Sequence, residues 1–564
     1  MKLKERISKF FYPAPNSPWI VLLLPYITIM VFVFAAVFGG IHTWEYTNSP
    51  AFCGTTCHTM PPQDTVYKLS PHSNVTCEEC HIGRASFWDQ AMRKTQGIKE
   101  TYYEVFKLYE FPIRAKALRP SLDTCEKCHR PETFSDDSLR QISRFASDLE
   151  NTSSNIYLVM KTGGGDAREG NARGIHWHIT SKVMYYSDDE LAQTIPYVRG
   201  YNEDGTYSEY IDSESGFDLA ALDESQLKQM DCVTCHNRVT HNFQSPTHSV
   251  DQAMAQGLID PEIPFIHKKA VDVLSVPYAS DEDAMKAIAA VEDDYRSNLT
   301  DYYSQNGQKI KDAVTAIQAI YKQSVFQDQK IDWTTYPNNL GHIESPGCFR
   351  CHDGKHLNAD DQAIRLECNV CHAIPVVAAA DDFVTTIEIS RGPEPETHFN
   401  PNWIAMHNQA IGPSCSNCHD TKDPGGVSNT SFCSNSACHG NVFTFAGFDA
   451  PSLREIIKDQ LPPPEPELTI PELTGNPTYE NYIGILFAIK CTGCHTSDGS
   501  APKGLDLSTF NAAIRGGEDG AVIQPGDAAG SLLIQIQSQD HFSNFSSAEL
   551  NHVIDWINNG APEN

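Results

Sequence analysis

Every cysteine in this sequence belongs to a pair closed by a histidine, and that pattern has one dominant chemistry. The 18 cysteines form nine pairs. Seven read C-x-x-C-H: Cys77/Cys80/His81, Cys125/Cys128/His129, Cys232/Cys235/His236, Cys348/Cys351/His352, Cys368/Cys371/His372, Cys415/Cys418/His419 and Cys491/Cys494/His495. Two are stretched, Cys53/Cys57/His58 by one residue and Cys433/Cys438/His439 by two. Two thioethers to the vinyl groups of a porphyrin, with the adjacent histidine on its iron, require this arrangement. Zinc ribbons need cysteine pairs working in twos, and disulfides need no histidine after each second cysteine. The expectation is nine covalently attached hemes c, with no cysteine left over.

Each iron then needs a second axial ligand. Of 22 histidines, nine follow cysteine and thirteen remain. The candidates for the far face are His72, in Ser70-Pro71-His72, and the two histidines of Gly174-Ile175-His176-Trp177-His178. His241, His248, His342, His356, His398 and His407 lie near the motifs or in the same dense loops. His267 stays open, while His42 reads as an interfacial residue and His552 as a surface one. No methionine follows Met406, so the last heme cannot draw one from its own region. His541 precedes a final helix, Ser547 to Asn559, in which Leu550, Val553, Ile554 and Ile557 recur at helical spacing. His495/His541 ligation is expected there. Six-coordinate bis-histidine hemes carry electrons rather than bind substrates.

The net charge of −30 argues against a nucleic-acid partner, because phosphate contacts need clustered Lys and Arg. From Phe10 to Trp44 there is no charged residue, and Ile20 to Phe38 is almost wholly apolar. About 20 such residues span a bilayer. Trp19 and Trp44 stand where interfacial aromatics belong, and Lys2, Lys4, Arg6 and Lys9 precede the run against one Glu5. The positive-inside rule puts the N-terminus in the cytoplasm and the heme regions outside, in the periplasm. The run is long for a cleaved signal and no small-x-small site follows closely, so an uncleaved anchor is expected.

The chain then divides as follows: a tail over 1–18, the anchor over 19–42, four hemes over 50–250, a heme-free helical stretch over 251–340, and four hemes over 341–445. A Pro/Glu-rich linker covers 446–474 and a single-heme unit 475–564. Asp283 to Tyr303 and Gln308 to Phe326 show helical periodicity. With so little chain per heme, the porphyrins themselves are expected to be the core of the middle regions. The predicted fold is a multiheme cytochrome c, mainly helix and loop with little sheet, ending in a small all-α cytochrome c-like domain.

The stretch from the anchor to about residue 250 resembles the NapC/NirT family of membrane-anchored quinol dehydrogenases. The residues that carry this are Phe52-Cys53, Cys57-His58-Thr59-Met60, Cys77-Glu78-Glu79-Cys80-His81, Cys125-Glu126-Lys127-Cys128-His129 and Asp231-Cys232-Val233-Thr234-Cys235-His236-Asn237-Arg238. The segment from Tyr336-Pro337-Asn338-Asn339-Leu340-Gly341-His342 to Cys348-Phe349-Arg350-Cys351-His352-Asp353-Gly354-Lys355-His356 is similar to larger multiheme relatives. The resemblance implies that membrane quinol, menaquinol in the first instance, is oxidised at the first heme for an extracytoplasmic redox partner. It also implies a methionine ligand two residues after the motif histidine. Met60 occupies that position, and with the extra residue in the motif both Met60 and His58 stand as ligands for this iron. Relatives carry a basic and an acidic residue after the second heme. Here these are Arg93 or Lys94, to orient the quinone, and Glu100, to take a proton. Two other functions compete: a wire subunit fed by another protein, and a reductase of a small nitrogen or sulfur compound. The histidine surplus and the lack of a C-x-x-C-K site count against the second.

Overall fold

The computed structural model describes residues 2–115, 119–130, 137–163, 174–202, 204–365, 370–373, 375–380, 407, 415, 419, 421–439, 446, 469–492, 495, 502–539, 541 and 544–564. Cys368, His398, Cys418, Cys494 and the Pro-rich stretch 461–467 lie outside these residues. The chain forms two compact units. One comprises Met1–His129, Arg238–Val250 and Ala270–Tyr336; the other comprises Arg130–Asn237, Asp251–Lys269 and Pro337–Asn564.

In the first unit a short helix α1 (Lys2–Phe11) precedes α2 (Trp19–Asn48). Among the described residues, α2 alone is long and apolar enough to cross a membrane. Pro25 lies inside it without ending it. Its 30 residues span about 45 Å at 1.5 Å each, against roughly 30 Å of hydrocarbon. The expected anchor, 19–42, is therefore the inner part of a helix that continues past it to Asn48. Ser49 caps the next helix, α3 (Pro50–Thr55), by accepting from the Phe52 N–H. α4 (Pro61–Leu69), α5 (Cys77–His81) and α6 (Phe87–Val105) follow.

The heme-free region of this unit is a helical pair, Asp281–Asn298 and Thr300–Ser324. Ser280 caps the first, and Asp281, Glu282 and Asp283 fill its opening turn, where carboxylates favour the helix dipole. Ala284, Ile288, Val291 and Tyr295 of one helix and Ile310, Ala313, Val314, Ile317 and Tyr321 of the other are buried. The second helix is kinked at Asn306. That break falls between the two periodic runs read from the sequence, Asp283 to Tyr303 and Gln308 to Phe326, while the helix boundary itself lies earlier, at Leu299.

The second unit corrects the expectation of little sheet. β1 (Ser138–Phe145), β2 (Ser153–Met160) and β8 (Val376–Ala379) form one antiparallel sheet in the order β1-β2-β8. β3 (Val183–Tyr186), β4 (Tyr197–Tyr201), β5 (Tyr207–Asp212), β6 (Lys228–Gln229) and β7 (His356–Leu357) form another, in the order β6-β3-β4-β5-β7. Tyr, Val and Ile dominate β2 to β5, and these residue types suit a pleated, half-buried surface. Gly205, at φ +84°, takes the turn between β4 and β5. Val183, Tyr185, Ile195, Val198, Met230 and Cys351 form an apolar cluster on this sheet. The middle of the chain thus has a protein core of its own.

Towards the C-terminus, helices Gly484–Lys490, Phe510–Arg515, Leu532–Gln537 and Ser547–Asn558 surround Ile483, Leu486, Phe487, Trp556 and Ile557. Trp556 is fully buried, and its indole N–H donates to the Pro562 carbonyl at 2.9 Å.

Candidate functional site

The C-x-x-C-H spacing is the length of one helical turn, and the backbone closes it. His129, His236, His352, His419 and His495 donate their N–H groups to the carbonyl of their motif's first cysteine at 2.8 to 3.0 Å. Residues i, i+3 and i+4 then lie on one face, as thioethers and an axial imidazole on one porphyrin require. The stretched eighth motif, at Cys433, keeps the same turn by another route. His439 donates to Asn435 at 3.0 Å, while Cys433 sits in a preceding short turn capped by Ser431. The extra residues lie before the turn and leave it intact.

Six motif histidines each face a second imidazole. Ring centres are 6.0 Å apart for His72 and His129, and 6.2 Å for His81 and His241. They are 6.4 Å for His176 and His236, 5.7 Å for His178 and His352, 6.4 Å for His342 and His372, and 6.3 Å for His407 and His439. Two imidazoles bonded to opposite faces of one metal at about 2 Å put their centres roughly 6 Å apart. The residues present therefore fit a heme iron between each pair.

Hydrogen bonding orients the rings for that role. Nδ1 of His176 lies 2.6 Å from the Thr162 carbonyl, His178 Nδ1 2.8 Å from Ile175, and His372 Nδ1 2.7 Å from Ala373. His352 Nδ1 is 2.5 Å from the Arg365 carbonyl. A carbonyl only accepts, so Nδ1 carries the hydrogen and Nε2 keeps the lone pair a metal needs. Burial lowers the pKa of His81, His178, His342 and His372, and takes His241 and His352 to about 4. These rings are neutral near pH 7.

The second sheet positions three of the ligand-bearing segments. The short helix Trp177–Thr180, which carries His178, leads into β3; β6 leads into the Cys232 turn; and β7 follows the Cys348 turn. Positions two apart on a helix point to different sides, so His176 and His178 face different partners, His236 and His352. A buried Arg350 ties the two turns together, donating to Thr234 and Gly347 carbonyls at 2.9 Å each. The first sheet does the same for the Cys371 turn, since Lys161 donates to the Cys371 carbonyl at 2.9 Å and Ala373 to Val159 at 2.8 Å.

One expected distal ligand, His356, is opposed by its own hydrogen bonds, and another, His248, stands outside the six imidazole pairs above. His356 is buried on β7, with Nδ1 2.9 Å from Asp353 Oδ1 and Nε2 2.6 Å from the Ile195 carbonyl. Both partners accept, so both nitrogens are donors and neither has a lone pair for iron. His248 is exposed, and among the described residues its ring faces no motif histidine. His248→Ala is accordingly expected to leave the low-spin heme spectrum at its wild-type amplitude; a new high-spin signal would contradict this placement. His267, undecided in the sequence, lies 3.2 Å from both Asp251 and Ser147. His541 stands near enough to His495 to act with burial, the larger cause, in lowering its pKa. The ring of His419 stacks on Phe432 at 4.1 Å.

The first motif differs from the rest. Cys53 lies on α3, Cys57 beyond its end, and His58 is exposed. The Glu104 carboxylate accepts from the His58 backbone N–H and, at 3.1 Å, from the Thr59 hydroxyl. Met60 is half-buried at the start of α4. Lys94 Nζ donates to Thr47 Oγ1 at 3.0 Å and stands 4.2 Å above the Trp44 ring, at the emerging end of α2. Burial, opposed by Glu78, lowers the Lys94 pKa. Arg93 is held by Asp123 at 2.8 Å and the Ile82 carbonyl at 2.7 Å. Glu100 is exposed, and among the described residues its carboxylate makes no hydrogen bond. The structure thus brings Lys94 and Glu104 to this region, commits Arg93 to a structural pair, and leaves Glu100 in solvent. Glu104 went unnoticed in the sequence, although it lies one helical turn beyond Glu100.

An anchor helix followed by serial cysteine–histidine turns with paired imidazoles defines a membrane-anchored multiheme c-type cytochrome, an electron-transfer protein. The chain belongs to the NapC/NirT cytochrome c family, whose N-terminal region matches residues 15–151. Residues 491–543 match a planctomycete cytochrome c family. Over 402 residues it is 35% identical to the cytochrome c-type protein ImcH of Geobacter sulfurreducens, covering 69% of this chain and 76% of that one. Over 81 residues it is 32% identical to the cytochrome c nitrite reductase subunit NrfH of Nitratidesulfovibrio vulgaris, covering 14% of this chain and 48% of that one. No solved structure matches.

Proposed function

We propose that this chain takes electrons from membrane quinol at its first heme and conducts them through nine covalent hemes to an extracytoplasmic redox partner. Nine cysteine–histidine motifs set that heme number. The basic N-terminal tail supports an orientation with the heme-bearing units outside the cytoplasm. His72/His129, His81/His241, His176/His236, His178/His352, His342/His372, His407/His439 and His495/His541 are assigned as axial pairs. His398 is left for His419, and Met60 or His58 binds the first iron. Bound heme supplies reversible one-electron chemistry at each site. The last region, 475–564, serves as an all-α cytochrome c-like exit domain.

The observation that carries the quinol reading is the junction at the end of α2, where Lys94 meets Trp44 and Thr47. A quinol ring arriving from the bilayer there meets a cation able to hold its oxygen. Oxidation of a quinol releases two electrons and two protons. Glu104, beside the Cys57–His58 turn, is the nearby carboxylate suited to accept one of those protons. Among the described residues, the carboxylate of Glu100, the residue expected from sequence, has no hydrogen bond that would hold it in place.

Stopped-flow reduction of the detergent-solubilised holoprotein by a menaquinol analogue tests this. Glu104→Gln is expected to slow heme reduction by roughly 10²-fold, the usual worth of a general base, and Glu100→Gln to change it far less. If quinol fails to reduce hemes that dithionite reduces fully, the protein is a wire fed by another subunit.

A further inference from the structure

Helix α6 is built the wrong way round for a helix of a water-soluble domain. At 100° per residue, Phe87, Trp88, Met92, Ile98, Tyr102 and Val105 fall within an arc of about 140°. An apolar arc of that width ordinarily packs on protein. Here all six side chains are exposed, Trp88 at 76% and Met92 at 68%. The opposite face meets the protein instead. Arg93 binds Asp123 and Ile82, Gln96 accepts from Arg119 at 2.7 Å, and Glu104 holds the His58–Thr59 backbone and hydroxyl.

The arc also continues from the anchor. Phe87 lies against Trp44 with ring centres 4.9 Å apart, and Lys94 covers the same indole. Trp44 is near the point where α2 leaves the hydrocarbon, so α6 starts at the depth of the membrane interface. Exposed Trp and Tyr are the aromatics that favour this depth. Lys99, within the arc beside Met92, lies 5.5 Å from the Tyr103 ring, and its long stem lets the ammonium reach water from apolar surface.

We propose that α6 lies along the outer surface of the bilayer with this arc in the lipid, giving the protein a second membrane contact beside the anchor. An apolar stripe joined to a membrane-spanning helix, backed by a polar face already used by protein, fits lipid as its occupant. The inference goes beyond the quinol reading and does not depend on it. It concerns which surface α6 presents to the acyl chains, whatever donates the electrons.

Photo-crosslinking in lipid nanodiscs tests it on the full-length holoprotein. Benzoylphenylalanine is placed singly at Trp88, Ile98, Phe32 in the anchor, and Glu100 on the polar arc, with heme content and visible spectrum checked for each. Mass spectrometry is expected to find lipid adducts at positions 88 and 98 within a few-fold of position 32. Position 100 should fall at least about tenfold lower, as expected for an interfacial helix with one face in lipid. Lipid adducts at 32 but none at 88 and 98 would overturn the proposal. So would adducts at 88 and 98 formed with polypeptide or porphyrin, which would make the arc a protein or cofactor contact.

Discussion

Replacing His178 with alanine is expected to convert one heme from low to high spin, while the same change at His356 leaves every heme low-spin. Both histidines were distal candidates in the sequence, His178 the stronger, and their neighbours separate them further. His178 gives its Nδ1 hydrogen to Ile175, which leaves Nε2 only 3.5 Å from Nε2 of His352. Loss of this ring opens one face of the iron assigned to His352. Carbon monoxide uptake should rise by one per chain, and a high-spin absorption should appear. The potential of that heme should shift by on the order of 0.1 V, a fraction of the roughly 0.8 V that axial ligation spans. His176→Ala should give the same signature at the heme of His236, and the double variant twice the uptake. A His178→Ala protein that stays fully low-spin would refute the pairing.

His356→Ala should act on stability instead, destabilising the surrounding sheet by about 3 kcal/mol. The imidazole pairs with Asp353, a buried carboxylate, and Lys355 reaches that carboxylate only at 3.7 Å while bonding Asp212 at 3.0 Å. Removing His356 leaves buried charge poorly compensated. The pH dependence has a definite sign. Burial opposes charge on His356, but Asp353 outweighs it and raises the His356 pKa above its ordinary value. Its contribution is therefore fully present below about pH 6.5 and is lost as pH rises through the raised folded value. Asp353 shifts the other way: burial raises its pKa, yet His356 and Lys355 hold it below the usual carboxylate range. Its share is present above about pH 4 and is lost only in acid below that. Hydrogen exchange of β4, β5 and β7 between pH 6 and 9 measures this locally. Wild type should open more readily at the higher pH by a margin that His356→Gln lacks. Equal slopes in the two proteins would show that His356 is not held protonated.

The cysteine–histidine motifs were legible in the sequence because most of them are a single turn of chain with a fixed spacing. The anchor was legible as an unbroken apolar run, though its projecting end was not, since Glu45 and Tyr46 look like loop. The sheets were missed for two reasons. β1, SLRQISRF, carries polar residues on both faces, and β6 and β7 are two residues long, too short to show any alternation. The fate of His356 was settled by the Ile195 carbonyl, far away in sequence, and by Asp353 three residues earlier. Glu104 was passed over for Glu100 because spacing along α6 does not reveal which turn meets the first cysteine motif. Local chemistry could be read directly, whereas pairing across the chain could not.

The strand order carries a consequence for how such a protein is made. β3, β4 and β5 form a continuous antiparallel meander from residues 183–212, and the two flanking strands are the shortest in the sheet. Each flank is joined to a cysteine turn, Cys232–Cys235 on one side and Cys348–Cys351 on the other. Two-residue edges are held by few hydrogen bonds and open at a small part of the cost of global unfolding. The centre of the sheet can therefore finish folding while both cysteine pairs stay open to porphyrin attachment. Maturation would then proceed outward, with each newly tethered heme drawing its own edge strand closed.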